Sequence, residues 1–373
     1  MHALAVLFLV GATRPDCPNG GHPALEQPPP IERDVATLLD EWGELPPPPF
    51  EIGAGAAGVW TGSEALIWGG LTGGDYTNAG ARFDPLAGTW EVMSTDGAPS
   101  PRAQATLTWC GAVAIAFGGV GPSGLLSDGG IYDPETDRWS ALPVGASSPS
   151  ARKGHTAKCA QGKLVVWGGE LPWGRFSRDG ARFDPATGAW VRLSNTRAPS
   201  ARADLIAAWT GEELVLFGGR GRSGALGDGA AYDLGRDRWT RISGIGAPSP
   251  RFDASEIWTG GQLVAFGGRD ESGVLGTTFG YDPIHDRWVE LADSGAPTAR
   301  ARARAVWTGA SMIIVGGLTP GGPAEPVGGR LDGLGHWLPL SSLGAPLSSV
   351  DQVVLWTGTE LLMFGGHGGA SYR

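Results

Sequence analysis

Residues that could bind a charged ligand recur along the chain at a near-constant interval. The recurring residue is an arginine at the end of a Gly-Ala-Pro-Ser-x-Arg stretch or a close variant, at Arg102, Arg152, Arg202, Arg251 and Arg300. A guanidinium group binds carboxylates and phosphates through two parallel hydrogen bonds, so this series predicts an acidic ligand. In the alternative interpretation each arginine pairs with an acidic loop residue and holds its own unit together. The candidate acidic partners are Asp128, Asp179 and Asp228.

A second group of candidate binding residues centres on one loop. Trp173 lies in the segment 170–178, and the other units have no counterpart of it. An exposed loop aromatic can stack on a sugar or anchor a protein partner, although it can also fold back onto its own loop. Further candidates expected on the same face are Arg175, Arg178, Arg220, Arg222 and His155.

The elements that position these residues are set by an internal repeat. An apolar run ending in Gly-Gly occurs seven times, at intervals of 49 or 50 residues, with its first glycine at Gly69, Gly118, Gly168, Gly218, Gly267, Gly316 and Gly365. A tryptophan that precedes Leu, Ile or Met by three positions also occurs seven times, at Trp42, Trp90, Trp139, Trp190, Trp239, Trp288 and Trp337. Self-similarity at such a period indicates a repeat architecture.

Each unit carries the pattern of four short strands, which we name A to D. In the fourth unit we predict strands at Leu205–Trp209, Leu214–Phe217, Ala230–Tyr232 and Trp239–Ile242. Turn signals separate them: Thr-Gly between A and B, the double glycine after B, and Asp at the start of the C–D turn. Four short strands every 49 residues is the spacing of a propeller blade.

The double glycine, the aromatic that follows it and the later tryptophan resemble the Kelch repeat over residues 40–373. The chain is most similar to secreted bacterial Kelch-repeat proteins. Leu331 in place of the strand C aromatic and Cys159 in place of a tryptophan are the departures. The resemblance implies an all-β, seven-bladed β-propeller of four-stranded blades. Strand A is innermost in such a fold, so the five repeat arginines would line the central channel on the face of the B–C and D–A loops.

Closure of the ring is expected to use both ends of the sequence. Gly369–Arg373 aligns with strand C of other units, and residues 40–45 around Trp42 would supply the missing strand D. The last blade would then be built three plus one, which removes exposed sheet edges. Residues 13–39 form a Pro-rich linker in this scheme, and residues 40–373 form the propeller.

The N-terminal residues predict export. Residues 3–10 are apolar, too short to span a bilayer, and followed by small residues, so residues 1–12 are expected to be a cleaved signal peptide of a secreted or periplasmic protein. An ordinary apolar N-terminus or a misassigned start is the alternative. The sequence around Cys17 lacks the pattern of a lipidated cysteine, and we expect no transmembrane segment.

Composition excludes several classes of protein. With 41% hydrophobic residues and 16 tryptophans the chain is not disordered by composition, and a net charge of −10 argues against nucleic-acid binding. Three cysteines cannot form a disulfide framework. The sequence contains no Cys-x-x-Cys pair that would indicate a zinc site. Cys110 and Cys159 lie one period apart, which leaves a bridge between them open.

These observations favour a monomeric, non-catalytic binding scaffold, without cofactor or metal, for a protein, an acidic peptide or a glycan. The alternative is a carbohydrate-active enzyme, because some Kelch-type propellers isomerise sugars (a sugar isomerase or mutarotase-like activity). Glu170, Asp204, Asp253 or His155 could then act as acid or base.

Galactose oxidase shares the seven-bladed Kelch architecture, but its copper site needs two histidines, two tyrosines and a Tyr–Cys crosslink. The expected binding face offers only His155 and His367, so no such cluster can be assembled. Titratable groups converging in a pocket would favour the enzyme; a broad, shallow face would favour the scaffold.

Overall fold

The structure of the chain is a computed structural model that describes residues 5–8, 41–291, 293–323, 328–346 and 350–366. The predicted linker, the predicted strand at Gly369–Arg373 and His367 lie outside the described residues. No α-helix is present in the described ranges, and none of their elements is a helix long and apolar enough to cross a membrane.

Six consecutive stretches of chain each form a four-stranded antiparallel blade in the order A-B-C-D. Blade 1 contains Ala57–Trp60, Ala65–Trp68, Gly80–Asp84 and Thr89–Val92. Blade 2 contains Thr106–Trp109, Ala114–Phe117, Gly129–Asp133 and Arg138–Ala141. Blade 3 contains Thr156–Ala160, Lys163–Trp167, Gly180–Asp184 and Ala189–Arg192.

The next three blades follow the same plan. Blade 4 contains Ile206–Trp209, Glu213–Phe217, Gly229–Asp233 and Arg238–Arg241, within one residue of the predicted strands. Blade 5 contains Ser255–Trp258, Leu263–Phe266, Thr278–Asp282 and Arg287–Leu291. Blade 6 contains Arg304–Trp307, Ser311–Val315, Gly329–Asp332 and Trp337–Pro339.

The remaining four-stranded sheet, which we call the terminal sheet, corrects the prediction of blade number and closure. Its strand order is Val353–Trp356, Glu360–Phe364, Ala5–Phe8 and Glu41–Glu44. The structure therefore contains six blades of four consecutive strands and not the predicted seven, and the terminal sheet is built two plus two instead of three plus one. The repeat count could not reveal this arrangement, because Ala5–Phe8, which lies between Glu41–Glu44 and Glu360–Phe364, carries neither repeat motif.

The pairing of the terminal sheet shows why the prediction failed. Ala5–Phe8 pairs antiparallel with Glu360–Phe364 on one side and with Glu41–Glu44 on the other. The apolar N-terminal run thus occupies the place in the sheet that the repeat pattern assigned to the C-terminal residues. A short apolar segment fits a buried strand as well as it fits an export signal, so composition alone cannot distinguish the two.

Apolar contacts between neighbouring sheets form the core. Strand A of each blade contacts strand A of the next, and the terminal sheet completes the circle between blades 6 and 1. The strand D tryptophans pack across these junctions: the ring of Trp239 lies 5.5 Å from that of Trp167 in the preceding blade. The Trp239 indole is fully buried and donates to the Ser194 carbonyl at 2.8 Å. Each blade therefore buries its aromatic face only against its neighbour.

Small hairpins between strands B and C project from one side of the ring. We call the side bearing them the hairpin face; their paired strands are Leu71–Thr72 with Asp75–Tyr76, Val120–Gly121 with Gly124–Leu125, Glu170–Leu171 with Arg175–Phe176, Arg220–Gly221 with Gly224–Ala225, Arg269–Asp270 with Gly273–Val274, and Leu318–Thr319 with Gly322–Pro323. The double glycine that precedes each hairpin is required sterically. A Cβ at Gly218, whose φ is 65°, would lie 2.6 Å from the Arg251 carbonyl oxygen of the next unit.

A disulfide links two neighbouring units. Cys110 follows strand A of blade 2, Cys159 lies in strand A of blade 3, and their Cα atoms are 5.4 Å apart. The departure from tryptophan at position 159 is thereby explained, because a sulfur there reaches the adjacent blade. The bridge closes a loop with a sequence separation of 49 residues.

Candidate functional site

The repeat arginines are packed inside the blades. Arg202 is 0% exposed; its Nε donates to the Ser200 carbonyl at 2.8 Å, and its Nη1 donates to the Gly218 carbonyl at 2.9 Å. Its Nη2 donates to Ser200 Oγ at 2.7 Å and to Asp228 Oδ1 at 2.9 Å. One guanidinium group thus ties the D–A loop to the end of strand B and to the loop before strand C.

The same arrangement recurs around the ring. All five side chains are at most 2% exposed and donate to the first carbonyl of the double glycine in their own blade: Arg102, Arg152, Arg202, Arg251 and Arg300. The first three also form ion pairs with Asp128, Asp179 and Asp228. The prediction that these arginines line the channel is therefore corrected. They satisfy buried carbonyl groups, and their guanidinium groups have no surface for a ligand. The alternative interpretation, pairing with an acidic loop residue, describes Arg102, Arg152 and Arg202.

His155 borders the channel but is only 7% exposed. Its Nε2 lies 3.1 Å from Thr106 Oγ1, and its ring packs edge-on against Phe117 with 5.4 Å between centroids. Burial, together with the charge of Arg152, lowers the pKa of His155 to about 3. The imidazole is therefore neutral at physiological pH, and this arrangement serves packing between blades 2 and 3.

Trp173 is presented to solvent at the tip of the blade 3 hairpin. The single 3-10 turn Pro172–Gly174 carries it with a left-handed φ of 64°, and its side chain is 89% exposed. The Arg175 guanidinium of the same hairpin lies 5.5 Å from the centre of the indole, a cation–π contact. Arg178 and Arg222 are also exposed on this face.

Several charged side chains come together at the mouth of the central channel, on the hairpin face. A cavity of about 520 Å³ opens there, which we call the mouth pocket. Arg220 lies in it, with its Nη2 2.9 Å from Glu170 Oε2 and 3.3 Å from Asp204 Oδ2. Arg269 bonds to Asp253 at 2.8 Å, next to the Phe252 ring. Of the predicted arginines, Arg220 therefore reaches the channel, and acidic groups already partner it.

A ring of left-handed residues surrounds the mouth pocket. One residue of each unit, two positions after the repeat arginine where that is present, has a φ between 55° and 67°: Gly55, Gln104, Gly154, Asp204, Asp253, Arg302 and Asp351. Neighbouring members are joined through the backbone; the Asp204 amide donates to the Gly154 carbonyl and the Arg302 amide to the Asp253 carbonyl, each at 2.8 Å. All seven line the mouth pocket. Asp204 and Asp253 belong to the predicted acid–base set, whereas Arg302 and Asp351 were missed.

A non-glycine residue with a left-handed backbone carries a conformational cost. Elsewhere in the structure, left-handed residues offset this cost with hydrogen bonds that stabilise the fold. Asp237, for example, has a φ of 49°, but its carboxylate accepts from the Tyr232 hydroxyl and from the Ser194 amide across the blade junction. The charged ring side chains line the mouth pocket, where Asp204, Asp253 and Arg302 pair with Arg220, Arg269 and Asp351 respectively. Strained backbone that presents charged groups to a cavity is a feature of functional sites. The signal available in the sequence was a series of four charged residues and one glutamine, at intervals of about 49 residues, with glycine in the other two units.

Asp204 has a strongly perturbed carboxyl group. Its side chain is 25% exposed, to the pocket alone, and burial together with the neighbouring Asp253 raises its pKa to about 6. Arg220 opposes this shift. The charge of the pocket therefore changes near neutral pH. No group of three or more metal-ligating side chains occurs within the described ranges.

Four-stranded antiparallel blades around a central channel, with loops gathered on one face, define the β-propeller class. A family model described as the KLHDC2/KLHL20/DRC7 Kelch-repeats domain matches residues 106–317, more than half of the sequence. The chain therefore belongs to the Kelch-repeat family, as its glycine and tryptophan pattern predicted. Among curated proteins none matches it. The similarity to secreted bacterial members stays a prediction.

Proposed function

We propose that this Kelch propeller is a protein-interaction scaffold that binds an acidic segment of its partner on the hairpin face, beside blade 3. The observation that carries the proposal is Trp173, an indole held in solvent at 89% exposure on a left-handed backbone. Buried tryptophans and arginines supply most of the binding energy in protein interfaces. An indole offers a large, rigid contact area with only two rotatable side-chain bonds, so it loses little entropy when a partner covers it.

The charge around Trp173 supports an acidic partner. Arg175, Arg178 and Arg222 are exposed. Arg175 and Arg178 follow the indole closely in sequence, and Arg222 lies in the hairpin of the next blade. The chain as a whole has a net charge of −10, and Glu170, Asp270 and Glu271 on the same face partly offset this basic group, so its positive charge is local. Local charge of opposite sign raises association rates and orients the partner, and both effects weaken as salt is added.

Binding of acidic peptides tests this proposal. On an array of acidic peptides and glycans, we expect Trp173→Ala to weaken the peptide signals of the wild-type protein by about tenfold or more, the size typical of an interface anchor. Arg175→Ala should weaken them less and reduce their salt dependence. The matched controls, Ile284→Ala and Arg287→Ala, alter exposed residues of the C–D turn and strand D of blade 5 and should change nothing. Equal signals from Trp173→Ala and wild type would discard the proposed face, and glycan signals alone would change the class of ligand.

The alternative of a carbohydrate-active enzyme has one supporting observation: titratable groups do converge in the mouth pocket. Asp204, with its raised pKa, lies beside Asp253, and a pair of carboxyl groups in unlike environments is suited to acid–base chemistry. Assay of sugar isomerisation and anomerisation with wild type and Asp204→Asn separates this reading from the scaffold. Turnover that is lost in Asp204→Asn would favour the enzyme.

We also propose that the protein folds in an oxidising compartment, outside the cytoplasm. The Cys110–Cys159 bridge supports this, because disulfides persist in exported proteins and are rare in the cytosol. The export proposal does not rest on cleavage of residues 1–12, since Ala5–Phe8 forms a strand of the terminal sheet.

Mass spectrometry of protein from its host should find the Cys110–Cys159 bridge in the exported fraction. Closing a loop of this length stabilises a protein by about 4 kcal/mol in the chain-entropy model, so Cys110→Ser/Cys159→Ser should melt lower than the oxidised wild type. Reductant should lower the melting temperature of the wild type towards that of the double variant and leave the variant unchanged. Free thiols in protein isolated under alkylating conditions would contradict the proposal.

A further inference from the structure

The central channel continues below the mouth pocket and is narrowed at one level by two charged side chains. Three cavities follow one another along it: the mouth pocket, a middle cavity of about 380 Å³, which we call the waist, and a third of about 420 Å³ on the side away from the hairpins. Lys158 and Glu256 line all three. They come from strand A of blades 3 and 5, with blade 4 between them, and therefore face each other across the channel.

The pair at the waist is a loose one. Lys158 Nζ and Glu256 Oε1 are 3.8 Å apart, beyond hydrogen-bond distance, and the two side chains are 37% and 22% exposed to the channel. An ammonium group carries three donors, so Lys158 keeps hydrogen-bonding capacity towards the cavity.

Arg304 adds a second cation at the same level. It lines the waist with Lys158 and Glu256, and its Nε donates to the Gln352 carbonyl at 3.1 Å, which leaves both terminal nitrogens for other contacts. Enclosure by the channel wall lowers the pKa of Arg304, and burial raises the pKa of Glu256 against the pull of Lys158 and Arg304. The carboxylates that act on Arg304 are Asp351, at the mouth pocket, followed by Glu256 and Asp253. The side chains of Arg304 and Lys158 are both open to the water of the channel, so each can donate to an anion that enters the waist.

The third cavity is of a different character, and we call it the indole chamber. Its wall contains Trp109, Trp209 and Trp258 together with apolar residues such as Leu107 and Ile257. These tryptophans lie at the ends of their A strands, packed partly against the blade cores. The chamber opens on the side opposite the hairpin face and ends inward at Lys158 and Glu256. An apolar enclosure with a charged end suits a molecule that has an apolar body and one charged head.

We propose that the channel binds a small aromatic or aliphatic monocarboxylate, with its carboxylate between Lys158 and Arg304 at the waist and its apolar body in the indole chamber. The carboxylate accepts hydrogen bonds from the two cations, and the indoles of the chamber contact the apolar body. This site is separate from the partner-binding face proposed above, because the ligand enters from the opposite side of the ring and touches no residue of the hairpins.

Binding of 3-phenylpropionate to the full chain tests the proposal, followed by calorimetry and by tryptophan fluorescence in a chloride-containing buffer. We expect saturable binding with a change in fluorescence. The amine of the same shape, 3-phenylpropylamine, should not bind, and acetate should bind at least about tenfold more weakly because it lacks the apolar body.

Variants at the waist should change affinity in opposite directions. Lys158→Gln and Arg304→Gln each remove one of the two cations that contact the carboxylate. Each should weaken the binding of 3-phenylpropionate about tenfold or more, the loss expected for one charge-assisted contact. Glu256→Gln keeps the shape, removes the competing carboxylate and should tighten binding. Lys163→Gln, a lysine on strand B paired with Asp184 away from the channel, is the matched control and should have no effect. Trp173→Ala should also have none, which separates this site from the partner-binding face.

Three results would overturn the proposal: no binding of 3-phenylpropionate to wild type at millimolar concentration, equal binding of the amine, or weaker binding by Glu256→Gln. Circular dichroism and melting temperature establish that each variant is folded. Because Lys158 and Arg304 are tested separately, loss of folding in one variant still leaves the other to decide.

Discussion

Deletion of residues 1–46 is expected to lower the melting temperature by more than any point substitution discussed here and to cause aggregation. The deletion removes Ala5–Phe8 and Glu41–Glu44, two of the four strands of the terminal sheet. It leaves Glu360–Phe364 as an unpaired edge, and Leu361, Leu362, Met363 and Phe364 in this strand are at most 6% exposed in the intact protein. An apolar strand edge exposed in this way pairs with other chains. Calorimetry and light scattering on a sizing column measure the effect.

The control for this experiment keeps both strands and removes the chain between them. Phe8 and Glu41 are direct partners in the antiparallel pair, so a short Gly/Ser loop can replace residues 9–40. That variant should melt higher than the variant that lacks residues 1–46. Unchanged melting of the deletion variant would show that the terminal sheet does not depend on its N-terminal strands. Deletion of residues 1–12 alone removes only Ala5–Phe8 and separates the contribution of this strand from that of Glu41–Glu44.

Substitution of a repeat arginine is expected to destabilise the fold and to leave surface binding intact. Arg202→Met removes the donor to the buried Gly218 carbonyl, which is left without a partner, and the donors to the part-buried carbonyls of Ser200 and Asp228. Removing one member of a buried, hydrogen-bonded charge arrangement costs about 3–5 kcal/mol. The Asp228 carboxylate is 41% exposed and can be hydrated, so we expect the lower end of this range. Urea unfolding measures the loss.

Arg178→Ala provides the comparison, because Arg178 is exposed and makes one long contact, 3.3 Å to the Asn195 carbonyl. Its stability should stay within about 0.5 kcal/mol of wild type. If Arg202→Met unfolded at the same urea concentration as wild type but lost peptide binding, the original interpretation of the repeat arginines as ligand contacts would be restored.

The strands and turns of the blades could be predicted because the signals for them are local. The double glycines, the Thr-Gly turns and the alternation around Trp239 fix strand ends within a few residues of sequence, and the strands of blade 4 lie within one residue of those predicted. The family followed from the same pattern, since seven copies of it are specific where one would not be. The exposure of Trp173 could be expected too, because its loop has no counterpart in other units.

The site could be predicted only in part, because the direction of a long side chain depends on what it meets. Arg102 and its equivalents were placed on the correct loop. Their guanidinium groups turn into the blade, where they donate to the first carbonyl of the double glycine. Asp204 and Arg302 gain their place around the channel from a left-handed backbone conformation that their residue types do not favour. Lys158 and Glu256 are separated by 98 positions and meet only because the ring brings their strands together.

By itself, then, the sequence determined the blade, the repeat and the family, since these depend on residues a few positions apart. Only the tertiary structure decided how the circle is completed, with Ala5–Phe8 inserted beside Glu360–Phe364, and which charges share the channel. The physical reason is the same in both cases. Pairing of distant strands and balance of buried charge are settled by all neighbours at once, and a repeated motif specifies its own unit without specifying what lies across the axis.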